Sequence, residues 1–295
     1  MSALLDTLER TLKVRDLEVG GATGPLAARL YAAGPASGPA SGSASGSATK
    51  RDMLVVFFHG GGFDSGDLDE ADDFLRTLAE SDHLPLVLAS TYTLATTSPF
   101  PAAVEDAHAV LAWAKKNKAK LGWSGKLMVA SGIEAGANLA AVCAMMSRDR
   151  GGPALAGQIL IMPMLDPALS TCSMRQMTLC ADREKAATEC AEAYRGYLPH
   201  AADRAHPYAA PLHSSRLKNL APALILSAED DPLRDEAEQY GAKLINAGVC
   251  TTVRRMEPDD LDLQDPNGRN ECACKMHAMG EIARFLSGLE ARKGA

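Results

Sequence analysis

The residues of this chain whose types and spacing could do chemistry follow short apolar runs. The first group is His59-Gly60-Gly61-Gly62-Phe63, directly after the run MLVVFF at 53–58. Consecutive glycines after a buried strand allow a tight turn with bare backbone N–H groups, and such donors stabilise negative charge on a carbonyl oxygen. The segment therefore predicts an oxyanion hole or ligand-binding loop at residues 59–62. A tight loop without a ligand is the alternative interpretation.

A second group stands at an expected strand-to-helix turn. Residues 131–140 read SGIEAGANLA and follow the run KLMVAS. The frame of Gly132 and Gly136 is that of a nucleophile elbow, a strained turn that lifts one side chain into a site. The lifted residue here is Glu134. Ser131 comes three residues too early for that position, and we expect it to pack at the end of its strand.

A third group, Glu229-Asp230-Asp231, follows the run PALILSA. An acid at the carboxyl end of a strand can orient a histidine, which makes Asp231 a candidate catalytic residue. The alternative is that Asp231 and Asp235 cap the following helix or form ion pairs.

The elements that must position these residues alternate along the chain. Further apolar runs stand at 85–90, 157–163 and 250–256, and helical patterns lie between the runs at 67–81, 101–118 and 135–148. Alternation of this kind predicts an α/β fold with a parallel sheet covered on both faces.

We expect one domain over residues 1–295, with three departures from the regular pattern. Residues 1–20 form a short N-terminal cap segment. Residues 33–50, rich in Ala, Gly, Ser and Pro, form a flexible loop that we interpret as an extended hairpin loop between two strands. Residues 168–215 form a cap-like or lid-like insert, and a final helix covers about 271–290.

The run from about 52 to 288 resembles the hormone-sensitive-lipase-like, bacterial esterase branch of the α/β hydrolases. The matching segments are HGGGF at 59–63, SPFPAAVEDAHAVLAW at 98–113, GIEAGANLAA at 132–141, LIMPMLDP at 160–167 and AEDDPLRDEAEQYGAKLINAGV at 228–249. The resemblance implies an α/β-hydrolase fold, with a mostly parallel eight-stranded sheet flanked by helices and a reduced cap. It also implies hydrolysis of short acyl or aryl esters through Ser, Asp and His, without a metal or other cofactor. Gly61, Gly62 and Ala135 match the family's oxyanion-hole positions, and Asp231 matches the triad acid.

The departures from the family pattern lie at the positions where the family has its catalytic residues. Glu134 stands where the family has its serine nucleophile, and the stretch after the last strand, VRRMEPDDLD at 253–262, contains no histidine. His277 follows later, and we expect it on a face of the final helix. Because a serine nucleophile needs a base, the absence of both residues predicts that the chain is not an ordinary serine esterase.

Three functional interpretations stay open. The leading one is a catalytically silent protein that binds a small molecule, or another protein, in the former acyl pocket, with the Glu134 carboxylate filling the oxyanion hole. The second is an enzyme in which Glu134 performs acid or base chemistry of a lyase, isomerase or cyclase type. The third is a weak residual carboxylesterase that uses Ser131 or a cysteine.

The acids after the last strand allow one more hypothesis. Glu134 and Asp231 could converge with Asp259, Asp260 or Asp262 on magnesium, calcium or a cationic ligand. We favour a solvated acidic loop over residues 257–265 instead, and expect no metal and no other cofactor.

Composition limits the partners. A net charge of −7 over 295 residues argues against nucleic acid and against an anionic membrane surface. No apolar run reaches about 18 residues, and the N-terminus lacks the apolar core of a signal peptide. Seven scattered cysteines predict free thiols in a reducing cytoplasm. The expected partner is a small-molecule ligand or an acyl or ester-like substrate, while a protein partner and a homodimer stay open.

Overall fold

The computed structural model describes residues 11–34, 50–83, 85–177, 181–256 and 274–294. Within them, eight strands form a sheet in the order β1-β2-β4-β3-β5-β6-β7-β8. The first two strands and β4 pair antiparallel, and the remaining pairs are parallel. The strands are β1 (Leu12–Gly20), β2 (Pro25–Ala33), β3 (Arg51–Phe58), β4 (Leu86–Ser90), β5 (Trp123–Ile133), β6 (Gly157–Ile161), β7 (Ala223–Ala228) and β8 (Thr251–Met256). The prediction of a mostly parallel eight-stranded sheet is confirmed.

The N-terminal part of the sheet differs from the expectation. Residues 12–20, which we assigned to a cap segment, form edge strand β1, while residues 1–10 lie outside the described part of the chain. Strand β2 pairs with β1 and β4, and β3 lies beyond β4, so the interpretation of residues 33–50 as a hairpin loop was wrong. The physical reason is burial: β3 is buried from Met53 to Phe58 and takes a central position between two parallel strands. Residues 35–49 are not among those described.

The core lies on both faces of the sheet. Along β3 alternate residues serve opposite faces, because successive side chains of a strand point to opposite sides. One face packs under helices α2 (Ala102–Lys116), α4 (Ala135–Asp149) and α7 (Arg234–Asn246). The other packs under α1 (Asp72–Ala79) and α8 (Cys274–Gly294). Each buried large apolar side chain contributes roughly 1.5–3 kcal/mol, so this two-sided core fixes the strand ends that carry the site.

The insert at 168–215 is helical and lies next to the glycine-rich loop. It contains α5 (Cys172–Met177) and α6 (Ala181–Tyr197), and one short helix, α3 (Lys118–Leu121), precedes it in the chain. The rings of Phe63 and Tyr197 stack with centroids 3.8 Å apart, which docks the end of α6 beside the residues that follow β3. Among the described helices, none combines the length and the apolar character needed to cross a membrane.

Candidate functional site

The turn between β5 and α4 has the geometry of a nucleophile elbow, with Glu134 at its tip. Glu134 has φ 51° and ψ −113°, a conformation that costs a non-glycine residue about 1–3 kcal/mol. Its two flanking glycines are sterically required. A Cβ on Gly132 would lie 2.3 Å from the carbonyl carbon of Gly136, and a Cβ on Gly136 would lie 2.1 Å from the carbonyl oxygen of Phe58. The glycine spacing seen in the sequence therefore reflects packing of α4 directly against the sheet.

Backbone hydrogen bonds hold the elbow in place. The Glu134 N–H donates to the carbonyl oxygen of Ile161 over 2.9 Å, and the Glu134 carbonyl accepts from the N–H groups of Asn138 and Met164 at 3.1 and 3.2 Å. The buried Asn138 side chain donates to the carbonyl oxygen of Met164 over 2.7 Å. The side chain of residue 134 is thus presented by a rigid frame that does not depend on which side chain it is.

The glycine-rich loop after β3 is also held by its backbone. Gly61 and Gly62 have φ values of 86° and 61°, and a Cβ on Gly61 would lie 2.6 Å from the carbonyl oxygen of Ser65. The Tyr92 hydroxyl donates to the carbonyl oxygen of Gly60 over 3.1 Å. These contacts aim the loop at the elbow, where an oxyanion hole is required.

His59 supports this loop from behind. Its ring is buried and stacks on Tyr92 with centroids 4.3 Å apart, and its Nδ1 lies 2.9 Å from the carbonyl oxygen of Gly60. Burial lowers the pKa of His59, with the Gly60 hydrogen bond acting in the opposite sense. Of the predicted site residues, His59, Gly60 and Ala135 do not line the cavity described below, whereas Gly61, Gly62, Glu134 and Asp231 do.

The Glu134 carboxylate lies in the candidate oxyanion hole. The Gly61 N–H donates to Glu134 Oε2 over 3.1 Å, and a Cβ on Gly60 would lie 2.9 Å from the same oxygen. In the described part of the chain, the N–H groups of Gly62 and Ala135 make no hydrogen bond to this carboxylate. Of the three expected oxyanion-hole donors, one, the Gly61 N–H, therefore binds the side chain of Glu134.

Asp231 both closes a turn and faces the cavity. Its Oδ1 accepts from the Leu233 N–H over 2.7 Å in the turn that precedes α7. The N-cap residue of α7 is Leu233, and no side chain caps this helix, so the interpretation of Asp231 as a helix cap was wrong. Burial raises the pKa of Asp231 to about 6; the Leu233 hydrogen bond opposes this rise and the nearby Glu134 adds to it. Asp235 instead forms structural contacts, accepting from the Ser173 N–H at 2.7 Å and from Arg234 at 3.0 Å.

The elbow, the glycine-rich loop, the end of β7 and helix α6 enclose a cavity of about 740 Å³. Its described lining is strongly acidic. The acids are Asp64, Glu134, Glu189, Glu192, Glu229, Asp230 and Asp231, and the remaining lining residues are Gly61, Gly62, Ser65, Met164, Cys190, Ala193, Ala228, Pro232, Leu233 and Met256. A cavity of this size at the carboxyl ends of parallel strands is where small ligands bind in open α/β sheets.

Sequence reasoning missed the contribution of α6. Glu189, Cys190 and Ala193 line the cavity, and their spacing of one and four residues places them on one side of a helix. Burial and then the carboxyl groups of Glu236, Asp231 and Glu134 raise the pKa of Cys190 to about 12. The Cys190 thiol thus stays protonated near neutral pH, which makes it a weak nucleophile.

The other candidate nucleophile lies away from the cavity. Ser131 is buried in β5, where it pairs in register with Phe57 of β3 and Ile159 of β6. It does not line the cavity. The third interpretation, a hydrolase led by Ser131 or by a cysteine, therefore gains no support from the placement of Ser131 or from the protonated thiol of Cys190.

A second missed residue is Glu236, a buried acid on α7. Its Oε2 accepts from the N–H groups of Leu165 (2.6 Å) and Asp166. The sequence does carry a signal for this role, because Glu236 lies on the same face of α7 as Leu233, Ala237 and Tyr240. An acid on the apolar face of a helix must find buried donors.

Within the described ranges, no group of three or more His, Cys, Asp or Glu residues is arranged to hold a metal ion. The acids at 259, 260 and 262 that entered the metal hypothesis lie outside those ranges. His277 belongs to α8, as expected, but its side chain is not among those described.

Comparison with known proteins agrees with this architecture. The chain belongs to the α/β-hydrolase fold family, in its hormone-sensitive-lipase-like branch, and residues 55–259 match that family. It is 34% identical to the esterase LipI of Mycobacterium tuberculosis over 248 residues, which cover 83% of this chain and 73% of LipI. It is 36% identical over 248 residues to the carboxylic ester hydrolase LipN of the same organism, covering 82% of this chain but only 61% of LipN.

The structure is similar to that of a hyperthermophilic esterase from the archaeon Pyrobaculum calidifontis. The two have a TM-score of 0.79 and 33% sequence identity, and the match covers 96% of this chain and 87% of the other. The fold and the esterase-like architecture of this chain are thus shared with named esterases.

Proposed function

We propose that this chain is a small-molecule-binding protein of the α/β-hydrolase fold that does not turn over esters by a serine mechanism. The observation that supports the proposal is the hydrogen bond from the Gly61 N–H to the carboxylate of Glu134 at the elbow tip.

The physical argument concerns charge. In a serine esterase a hydroxyl attacks the substrate carbonyl, and N–H donors stabilise the negative charge that develops on its oxygen. Glu134 offers no hydroxyl, and its carboxylate accepts the Gly61 donor at 3.1 Å. A developing oxyanion would therefore meet a carboxylate where it needs a donor, and repulsion between like charges raises the barrier.

The test is hydrolysis of p-nitrophenyl acetate and p-nitrophenyl butyrate by the purified wild-type protein. We expect no rate above that of Glu134→Ala. As a matched control, Glu18→Gln changes an exposed residue of β1, away from the cavity, and must leave the measured rate unchanged. Hydrolysis at esterase-like rates that Glu134→Ala abolishes would overturn the proposal.

A rescue experiment tests whether the former esterase machinery persists. Glu134→Ser restores the hydroxyl and frees the Gly61 N–H, and combining it with Asp260→His or Leu261→His supplies a base after the last strand in sequence. We expect the double variants to hydrolyse p-nitrophenyl acetate above the wild-type rate. Equal rates for the double variants and wild type would argue that the cavity no longer accommodates an acyl group.

The second candidate function is acid or base chemistry by Glu134 together with Asp231. It is favoured by one observation, the rise in the pKa of Asp231 to about 6, because a general acid or base works best when its pKa lies near the working pH. This candidate predicts that Glu134→Gln abolishes turnover of a native substrate while the thermal unfolding midpoint stays near that of wild type. Normal turnover by Glu134→Gln would exclude it.

A further inference from the structure

We propose that the cavity above the elbow binds an organic ammonium ion, a primary or secondary amine that carries an apolar chain. The inference rests on the proposed ligand-binding function and names the class of ligand.

The first support is the charge of the cavity wall. Seven carboxyl side chains line it, and the described lining contains no lysine, arginine or histidine. A negative potential repels an anionic ligand and gives a neutral ligand no net attraction, whereas it attracts a cation. The 740 Å³ volume is in the range of small-molecule sites, so the acids surround a space that can hold a whole ligand.

The acids at the rim and at the base of the cavity differ in their partners. At the rim, Glu229 pairs with Arg255 at 3.0 Å and Glu192 pairs with Arg195 at 3.5 Å. At the base, neither Glu134 nor Asp231 forms an ion pair within the described residues; each accepts a single backbone N–H. Two neighbouring carboxylates without a cation are costly, and a bound ammonium group would supply the missing charge.

The arrangement favours an organic cation over a metal ion. A metal requires several oxygens within about 2.0–2.6 Å of one point, and the described carboxylates do not converge in that way. An ammonium group needs only one or two acceptors near its N–H donors, because its remaining donors can bond to water or to other side chains. The hydrocarbon part of the ligand has its own wall, which is formed by Met164, Ala193, Leu233 and Met256.

The lining also selects among ammonium ions. Quaternary ammonium groups are recognised mainly by the faces of aromatic rings, and no aromatic side chain lines the described cavity. Primary and secondary ammonium groups instead donate charge-assisted hydrogen bonds to carboxylates, which Glu134 and Asp231 can accept.

The test is isothermal titration calorimetry at pH 7.5 in phosphate buffer, which contains no competing amine. The probes are hexylamine, hexan-1-ol, hexanoate, tetraethylammonium and magnesium chloride. We expect hexylamine to bind at least about tenfold more tightly than each of the other four probes. Each of those probes lacks the primary ammonium group and therefore the charge-assisted hydrogen bonds that this group donates. Equal affinity for hexan-1-ol, or tighter binding of magnesium or tetraethylammonium, would overturn the proposal.

Matched variants then locate the site. Glu134→Gln and Asp231→Asn keep the side-chain shape and remove one charge each, and we expect each to weaken hexylamine binding at least about tenfold without changing the affinity for hexan-1-ol. Glu18→Gln removes the same charge from an exposed position on β1 and should not alter binding. Unchanged hexylamine affinity in both cavity variants would show that the amine binds elsewhere and overturn the assignment.

The outcome is separable from that of the proposed function. Esterase activity of the wild type would contradict the proposed function. The titrations would still test separately whether the cavity binds hexylamine selectively. Conversely, an inactive protein that binds hexan-1-ol as well as hexylamine would retain the proposed function and lose the ammonium ligand.

Discussion

Two pairs of carboxyl groups lie near the carboxyl ends of the central strands, and their hydrogen-bond partners differ. Asp166 accepts from the Ser170 N–H at 2.8 Å, the Ser170 hydroxyl at 2.6 Å and His213 at 2.8 Å. Glu236 accepts two backbone N–H groups through one oxygen. In the other pair, Glu134 and Asp231 each accept one N–H group and face the cavity.

The difference separates acids that organise the fold from acids that are open to a ligand. Burial acts to raise the pKa of Asp166, but hydrogen bonds from Ser170 and His213 outweigh it and hold that pKa below its ordinary value. For Asp231 the single bond from Leu233 does not outweigh burial, and the pKa is raised to about 6. A carboxyl group at a cavity wall that accepts only one hydrogen bond from the protein can accept further hydrogen bonds from a bound ligand.

We call Asp166 and Glu236, which accept several hydrogen bonds, the saturated pair. The largest expected effect on stability comes from removing one of these two acids. Glu236→Ala leaves the N–H groups of Leu165 and Asp166 buried without their acceptor and opens a void under α7. We expect the free energy of unfolding to fall by about 3–5 kcal/mol, since each unsatisfied buried donor costs about 1–3 kcal/mol. Urea-induced unfolding at pH 7.5, followed by circular dichroism, measures the change.

Glu236→Gln is the matched control for this prediction. Burial raises the pKa of Glu236 well above its ordinary value, and the Leu165 hydrogen bond opposes that rise. A neutral carboxyl group and an amide offer the same accepting oxygen, so Glu236→Gln should keep most of the stability that Glu236→Ala loses. A loss as large as that of Glu236→Ala would show that the negative charge itself is required.

A smaller and pH-dependent effect is expected at the cavity. The pKa of Asp231 is about 6 in the folded chain against an ordinary value of 3.8, so the folded state disfavours the charged form. The protonated form carries no such cost below pH 3.8, stability falls as the pH rises from 3.8 to 6, and the full cost applies above pH 6. Asp231→Asn, which keeps an oxygen for the Leu233 N–H, should therefore stabilise the protein by about 1–3 kcal/mol at pH 7.5.

The measurement compares urea unfolding of wild type and Asp231→Asn at pH 7.5 and pH 3.5. Groups that titrate in both proteins cancel in the difference, which isolates Asp231. We expect the stabilisation to be present at pH 7.5 and nearly absent at pH 3.5. A difference of the same size at both pH values would contradict the raised pKa and weaken the contrast between the two pairs.

The smallest effect is expected at the exposed end of the saturated pair. The His213 ring donates to the buried Asp166 carboxylate at 2.8 Å, but the side chain of His213 is 52% exposed. Because Asp166 keeps its bonds from Ser170 and Ala168, His213→Ala should lower the free energy of unfolding by less than about 1 kcal/mol. A loss above 2 kcal/mol in urea unfolding would mean that Asp166 depends on His213 for its charge.

The sequence predicted the site best where a residue type is dictated by local geometry. Gly132 and Gly136 mark the elbow because a Cβ at either would collide with backbone: within the turn for Gly132, and with the end of β3 for Gly136. The same spacing identified Glu134 as the residue at the tip. The runs predicted six of the strands. Five of them are buried along most of their length, as apolar parallel strands are, whereas β8 is a partly exposed edge strand.

The apolar pattern of the sequence did not predict the contacts of a segment whose neighbour in the fold is distant in sequence. An apolar segment indicates that it is buried but does not indicate against what, so the pairing of β2 with β4 could not be obtained from the composition of residues 33–50. Glu189 and Cys190 of α6 join the cavity only because the insert folds next to the glycine-rich loop.

The elbow, its glutamate and the glycine-rich loop could be identified from the sequence, because sharp turns and close backbone contacts require glycine at fixed positions. Which acids share a space, and which have all their hydrogen-bond donors, depends on the tertiary structure. Glu134 and Asp231 are 97 positions apart in the chain, yet both line one cavity, where Glu134 contributes to the raised pKa of Asp231. Electrostatic interaction depends on distance and burial, and the folded sheet alone sets both.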